Sequence, residues 1–256
     1  MVEYNDSAVP TALTSVGSAL TGAGCSTTAG ALAATLCTQA PTVLVDQAPQ
    51  QLSSWPVRVR RQAADRTTRS LHCTCHEVHV GTEGMFDVLT DLSTFMAAGS
   101  SSRSWCDALS SCGWSIVLTD LATPLLDQRG TETACADKPG VLVLVVPATR
   151  PGVAAATRLI TGWEDNDARP ESVVVAALAR APGSWDRRIL AALTMLERRT
   201  SGVTRLPFDP ALHREGVAGL DRMSRATRRA VHRLAALVAD ETDQLRTPST
   251  PTAVTS

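Results

Sequence analysis

The sequence holds one turn and two carboxylates whose types and spacing suit phosphate chemistry. The turn is "TGAGCSTT", residues 21–28, in which Gly22 and Gly24 permit a tight bend and close backbone approach, and Ser26 and Thr27 follow with hydroxyls. A strand, such a turn and a helix N-terminus cradle phosphate, because backbone N–H groups converge there and the helix dipole favours negative charge. Ser26 stands where a hydroxyl ligates Mg²⁺. Asp46 and Asp120 each end a short apolar run, "TVLVD" and "WSIVLTD". A carboxylate at the carboxyl end of a parallel strand faces the crevice where open α/β sheets bind ligands. A turn of small residues packed on a sheet gives the same pattern, but its place after the first strand favours the phosphate reading. One group is absent: where a phosphate loop wants lysine, this one has Cys25.

The elements that position these residues follow from periodicity. Residues 11–19 read as a strand, and "CSTTAGALAATLC" places Ala29, Leu32, Ala33, Leu36 and Cys37 on one helical face. Residues 42–46 form a continuously apolar strand of the kind buried on both faces of a parallel sheet. Residues 47–70 give no assignable pattern. Residues 69–80 read as a strand, 85–98 and 105–112 as helices, and 114–120 and 141–147 as strands. A helix over 152–161, a strand over 172–178, a helix over 186–198 and a strand and loop over 202–209 follow. A long helix over 220–242 closes the series. Such alternation predicts a three-layer α/β/α domain around a mainly parallel, doubly wound sheet of P-loop NTPase type. Residues 1–10 are read as an N-terminal extension, 11–244 as a single domain and 245–256 as a Pro/Ser/Thr tail of disordered composition.

Composition narrows the function classes. The chain of 256 residues carries a net charge of −1, which points to neither nucleic acid nor an acidic ligand. Lys138 is the only lysine among 24 basic residues, and no arginine lies before Arg58, so a shift of register supplies no cation to the turn. Seven cysteines, an odd and scattered set, make a poor disulfide framework. Residues 1–10 do not read as a signal peptide, and the longest apolar run, residues 140–148, is too short to span a bilayer. The expectation is a cytoplasmic protein with reduced thiols and no integral membrane association.

Three further groupings carry chemistry. "HCTCHEVH" (residues 72–79) gathers His72, Cys73, Cys75, His76 and His79, a set of zinc-ligand types. On a strand, however, they divide between two faces, and the plainer reading is thiols in the core with histidines at an edge. Cys25 at a helix N-terminus is expected to have a lowered pKa, since the dipole stabilises a thiolate. Arg222, Arg225, Arg229 and Arg233 repeat at helical spacing beside Arg228 and His232. They form either a solvated face or a basic stripe for non-specific DNA binding.

In these same stretches the sequence resembles the ParA/MinD family of P-loop ATPases. "LTGAGCSTTA" (residues 20–29) matches without gaps a loop of the type KGGVGKTTTA, and "VLVDQAPQ" (43–50) matches the family's VDADPQ. "WSIVLTDLATP" (114–124) and "VLVLVVPATRPGVAAATRLI" (141–160) resemble the next two elements. Residues 205–240 are similar to the C-terminal end of MinD-like proteins associated with actinobacterial secretion systems. The resemblance covers most of residues 11–241 and is weakest across 51–113. It implies that the phosphate lysine falls on Cys25, and that the upstream lysine, which reaches across the family's dimer, falls on Leu20. The first loop glycine falls on Thr21. The first Asp of the second motif persists as Asp46, while the second, which positions attacking water, falls on Ala48. Ser26 and Asp120 keep the Mg²⁺-associated positions.

The implied remnant nucleotide site is Gly22, Gly24, Cys25, Ser26, Thr27, Asp46 and Asp120, with no catalytic residue assigned. Phosphoryl transfer depends on charge neutralisation and positioning. Losing such groups, each on the order of 3 kcal/mol, predicts a protein without ATP hydrolysis. The expectation is a degenerate MinD/ParA-like scaffold or regulator in a secretion, pilus or positioning apparatus, with protein partners and the family's homodimer as modes of association. It needs no cofactor, or at most holds ATP or ADP with Mg²⁺. Two alternatives stand beside it: a nucleotide-switched ATPase with a non-standard phosphate contact, and a DNA-binding module using the 222–233 arginines.

Overall fold

The computed structural model describes residues 12–47, 55, 60–61, 74–80, 84–90, 109, 112–121, 124–125, 140–166 and 169–246. The strands are β1 (Ala12–Gly17), β2 (Thr42–Asp46), β3 (Arg60–Arg61), β4 (Thr74–Val80), β5 (Gly84–Thr90), β6 (Ile116–Asp120), β7 (Val141–Pro147), β8 (Ser172–Leu178) and β9 (Gly202–Leu206). The helices are α1 (Cys25–Leu36), α2 (Arg150–Asp165), α3 (Arg187–Glu197), α4 (Pro210–Glu215) and α5 (Arg225–Arg246), with a 3₁₀ turn at Gly216–Arg222. The strands form one sheet in the order β3-β4-β5-β2-β6-β1-β7-β8-β9. Only β3–β4 and β4–β5 pair antiparallel. This is the three-layer, mainly parallel architecture that the alternation of elements predicts.

The central strands show why continuously apolar runs suit this sheet. Successive side chains of a strand point to opposite faces. On β7, Val141, Val143 and Val145 join the cluster beneath α1 and α5, while Leu142, Leu144 and Val146 join the cluster beneath α2 and α3. On β8, Val174 and Ala176 take the first face, and Val173, Val175 and Ala177 the second. Each fully buried Val or Leu contributes roughly 1.5–3 kcal/mol, so the sheet is held from both sides.

Helix starts are set by caps. The Thr149 hydroxyl accepts from the Gly152 amide at 3.2 Å at the head of α2, and Asp186 accepts from the Arg188 amide at 2.7 Å at the head of α3. At α1 the N-cap is Gly24, whose φ of +98° is left-handed and which supplies no side-chain cap. The first-turn amides of α1 thus receive no side-chain cap from the residue that precedes them.

Three sequence expectations need correction. Residues 84–90 are not helical: β5 pairs antiparallel with β4 and parallel with β2. Met85, Phe86, Val88 and Leu89 satisfy helical spacing, but edge-to-edge pairing with a buried strand decides. The closing helix does not begin at residue 220. Leu220 lies in the 3₁₀ turn, and Asp209 Oδ2 accepts the Ser224 amide at 2.8 Å where the chain turns into α5. Helix α5 also runs to Arg246, two residues into the segment read as tail. The helix expected over 105–112 lies largely outside the described residues.

Candidate functional site

The phosphate-type turn sits between β1 and α1, at the carboxyl ends of the parallel strands. Gly22 and Gly24 both have positive φ, 64° and 98°. The left-handed conformation favours glycine at Gly24, and a Cβ there would lie 2.9 Å from Leu178 Cδ2 and displace that side-chain tip. The Gly24 carbonyl accepts from the amide and the hydroxyl of Thr28, each at 2.9 Å, which locks the turn onto the helix.

Asp46 and Asp120 are brought side by side. They pair in register at the ends of neighbouring parallel strands, and are only 1% and 2% exposed. Burial raises Asp120 to about 6, and the charge of Asp46 adds to this; the Ser26 hydroxyl and the Trp55 indole, both directed at Asp120, oppose it. Asp120 Oδ2 has no hydrogen-bond partner among the described residues. Ser26, Thr27, Gly22 and Gly24 all stand at this end of the fold, so the residues chosen from sequence converge.

Cys25 behaves opposite to expectation. It opens α1, where the dipole favours a thiolate, yet its pKa is raised to about 12. Burial is the main cause and the Asp120 charge the second. Cys25 at the head of α1 is therefore a neutral thiol beside the Asp120 carboxylate.

Two residues at the site escaped sequence reasoning. Trp55 is buried against α1: a Cβ on Gly30 would lie 2.6 Å from its Cη2, and its ring meets Phe86 edge-on with centroids 6.1 Å apart. Arg180, just past β8, reaches back so that Nη1 donates to the Gly22 carbonyl at 3.4 Å. It puts a guanidinium at the rim of the turn.

Beside the turn opens a cavity of about 310 Å³. Gly22, Gly24 and Thr27 border it on one side, Leu178 and Arg180 on another, and Phe208 and His213 on a third. The Phe208 and His213 ring centroids lie 5.1 Å apart with the planes inclined at 51°, giving an aromatic wall. Asp209 holds this wall: its carboxylate accepts from the Ala211, Leu212 and Ser224 amides. Burial raises its pKa, but those amides and the Thr227 hydroxyl outweigh burial and keep it below the usual carboxylate value.

The other groupings disperse. Cys75 is buried with Val43, Val45 and Leu89, whereas His79 is 55% exposed on side-chain area, 3.5 Å from Glu77 Oε2. His72 and Cys73 lie outside the described residues. No cluster of three metal-ligand side chains occurs among the described residues. Arg225, Arg229 and Arg233 are exposed on α5, but Arg222 belongs to the 3₁₀ turn and pairs with Glu215, which breaks the expected stripe. No described helix is long and apolar enough to cross a membrane.

Neither family models nor curated proteins match this sequence. Solved structures do match. The chain is similar to MinD cell division protein of Aquifex aeolicus, with TM-score 0.57 and 15% identity, covering 88% of this chain and 97% of that one. It is similar to pNOB8 ParA bound to nonspecific DNA, with TM-score 0.60 and 14% identity, covering 91% and 99%. It is also similar to the ATP complex of Cyanothece McdA, with TM-score 0.55 and 14% identity, covering 94% and 98%. At these identities the likeness shows a shared fold: this chain has the three-layer α/β architecture of those MinD, ParA and McdA structures.

Proposed function

We propose that this protein keeps the ParA/MinD nucleotide-binding architecture without turning over ATP. It acts by binding protein partners, as a scaffold or regulator in a cytoplasmic secretion, pilus or positioning apparatus. One observation supports the reading: Cys25, which the resemblance sets against the phosphate lysine, opens α1 as a neutral thiol beside the buried Asp120 carboxylate. Phosphoryl transfer needs positive charge on the β- and γ-phosphates, and this cradle presents the opposite sign.

The residues present still fit Mg²⁺. Asp120 has an oxygen without a hydrogen-bond partner beside the Ser26 hydroxyl, a donor set of hard oxygens. Ser26 and Asp120 would hold the ion, which supplies charge compensation for phosphate oxygens when a nucleotide is bound. The uncapped amides of α1 would receive the phosphates, and the Phe208–His213 wall of the cavity would face the base.

The family's dimer closes across nucleotide through the upstream lysine, which falls on Leu20 here. Sedimentation velocity is therefore expected to give the same oligomeric state with and without Mg²⁺-ATP. ATP-driven dimerisation would overturn the proposal.

Arg180 favours a second reading, a nucleotide switch with a non-standard phosphate contact. Its guanidinium, on the turn at Gly22, is positioned to take over part of the missing charge. On that reading Arg180→Ala weakens Mg²⁺-ADP binding at least about tenfold by calorimetry, the size of one charge-assisted hydrogen bond. Equal affinity in the variant removes the reading.

A further inference from the structure

A second concavity lies on the opposite layer, between α2 and α3, with a volume of about 560 Å³. Its floor is apolar, made of Val153, Ile189 and Ala192, and its walls carry Arg150, Arg158 and Arg188. Met195, 58% exposed, continues the floor, because it lies three residues beyond Ala192 and seven beyond Arg188 on the same helical face.

The arginines are not placed for helix stability. Helices α2 and α3 each follow a strand of the same parallel sheet, so their N-termini lie at one end of the layer. Arg150 and Arg188 occupy those N-terminal turns, where the helix dipole disfavours cations. Nor are they neutralised: none of the three makes an ion pair among the described residues. Arginines elsewhere in this layer do so, since Arg169 and Arg199 both pair with Glu164. The nearest capping carboxylate, Asp186, is engaged by the Arg188 amide. The groove thus combines an apolar floor with positive charge on its walls and no acidic side chain in its lining.

We propose that the α2–α3 groove docks an acidic amphipathic segment of a protein partner, apolar side chains on the floor and carboxylates on Arg150, Arg158 and Arg188. This rests on the partner-binding reading above and names its surface. A peptide fits better than nucleic acid, because the lining holds no aromatic side chain on which bases stack and its floor offers no hydrogen bonds. Charge complementarity of this kind sets both encounter rate and register.

The test uses the full chain and a fluorescent helical peptide with leucines along one face and glutamates on both flanks. A sequence-matched peptide with lysines for the glutamates serves as control, and a labelled DNA duplex as a second probe. The glutamate peptide is expected to bind in a salt-sensitive manner, and the lysine peptide not to bind. Arg158→Glu/Arg188→Glu is expected to weaken binding at least about tenfold, with Arg158→Gln intermediate. Both sites are exposed, so thermal melting of the variants should match the unmodified chain and separates docking from folding. No binding of the glutamate peptide, equal binding by the double variant, or tighter binding of the duplex lost in that variant overturns the proposal. Failure here leaves the sedimentation result untouched, whereas ATP-driven dimerisation contradicts the proposed function and leaves the peptide result standing.

Discussion

Cys25→Lys binds Mg²⁺-ADP at least tenfold more tightly than the unmodified chain. The substitution puts an ammonium at the head of α1, beside two buried carboxylates and on the side of the turn where phosphate would lie. A charge-assisted hydrogen bond contributes about 1.5–3 kcal/mol, and tenfold in affinity corresponds to about 1.4 kcal/mol. A gain of roughly ten- to a hundredfold follows. The cost of burying the new charge is offset by the neighbouring Asp46 and Asp120 carboxylates. Calorimetry on both proteins measures the difference. Equal affinities would mean that charge at this position does not limit binding. On the proposed reading ATP turnover should remain low in the variant, because the sequence resemblance sets Leu20 and Ala48 against the upstream lysine and the water-positioning Asp.

Asp120→Asn stabilises the unliganded chain by up to about 3 kcal/mol at pH 8. Asp120 in the folded state is raised from 3.8 to about 6, mainly by burial and next by the Asp46 charge. At about 1.36 kcal/mol per pH unit this displacement corresponds to about 3 kcal/mol. The folded chain holds this proton more tightly than the unfolded chain does. Stability from this group is therefore complete below about pH 4 and is lost as pH rises through about 6. The asparagine variant should remove that dependence, so that the two proteins converge near pH 4 and diverge above pH 6. The groups facing Asp120 are Asp46, Cys25, Ser26 and Trp55; Cys25, raised to about 12, stays neutral throughout this window. Urea unfolding at pH 4, 6 and 8 reads the effect. Destabilisation at pH 8 would mean that the Ser26 and Trp55 contacts outweigh burial.

The sheet was legible because its central strands are buried on both faces. Runs such as "VLVLVVP" and "SVVVAAL" need no alternation, and their identity as strands rests on length and β-branched content. The antiparallel β4–β5 pair was not legible. Met85, Phe86, Val88 and Leu89 fit a helical face as well as a strand, and pairing of β5 with β2 brings together residues some forty positions apart. The carboxylate pair and the glycine turn could be read from motifs, since each ends or follows a strand. What escaped was tertiary. The dipole at Cys25 can be inferred from a helix start, but its burial and its distance from Asp120 depend on the folded sheet. Arg180 meets Gly22 across 158 residues of sequence, and Trp55 comes from a stretch with no periodic signal at all.

On the proposed function this chain does not turn over ATP. Phosphate release from Mg²⁺-ATP by the purified full chain, at enzyme concentrations comparable to ATP, tests it most directly. No release above the buffer rate is expected, and none restored by Cys25→Lys alone. Sustained release by the unmodified chain, lost on Asp120→Asn or Arg180→Ala, would contradict it and establish an ATPase with an arginine in place of its lysine.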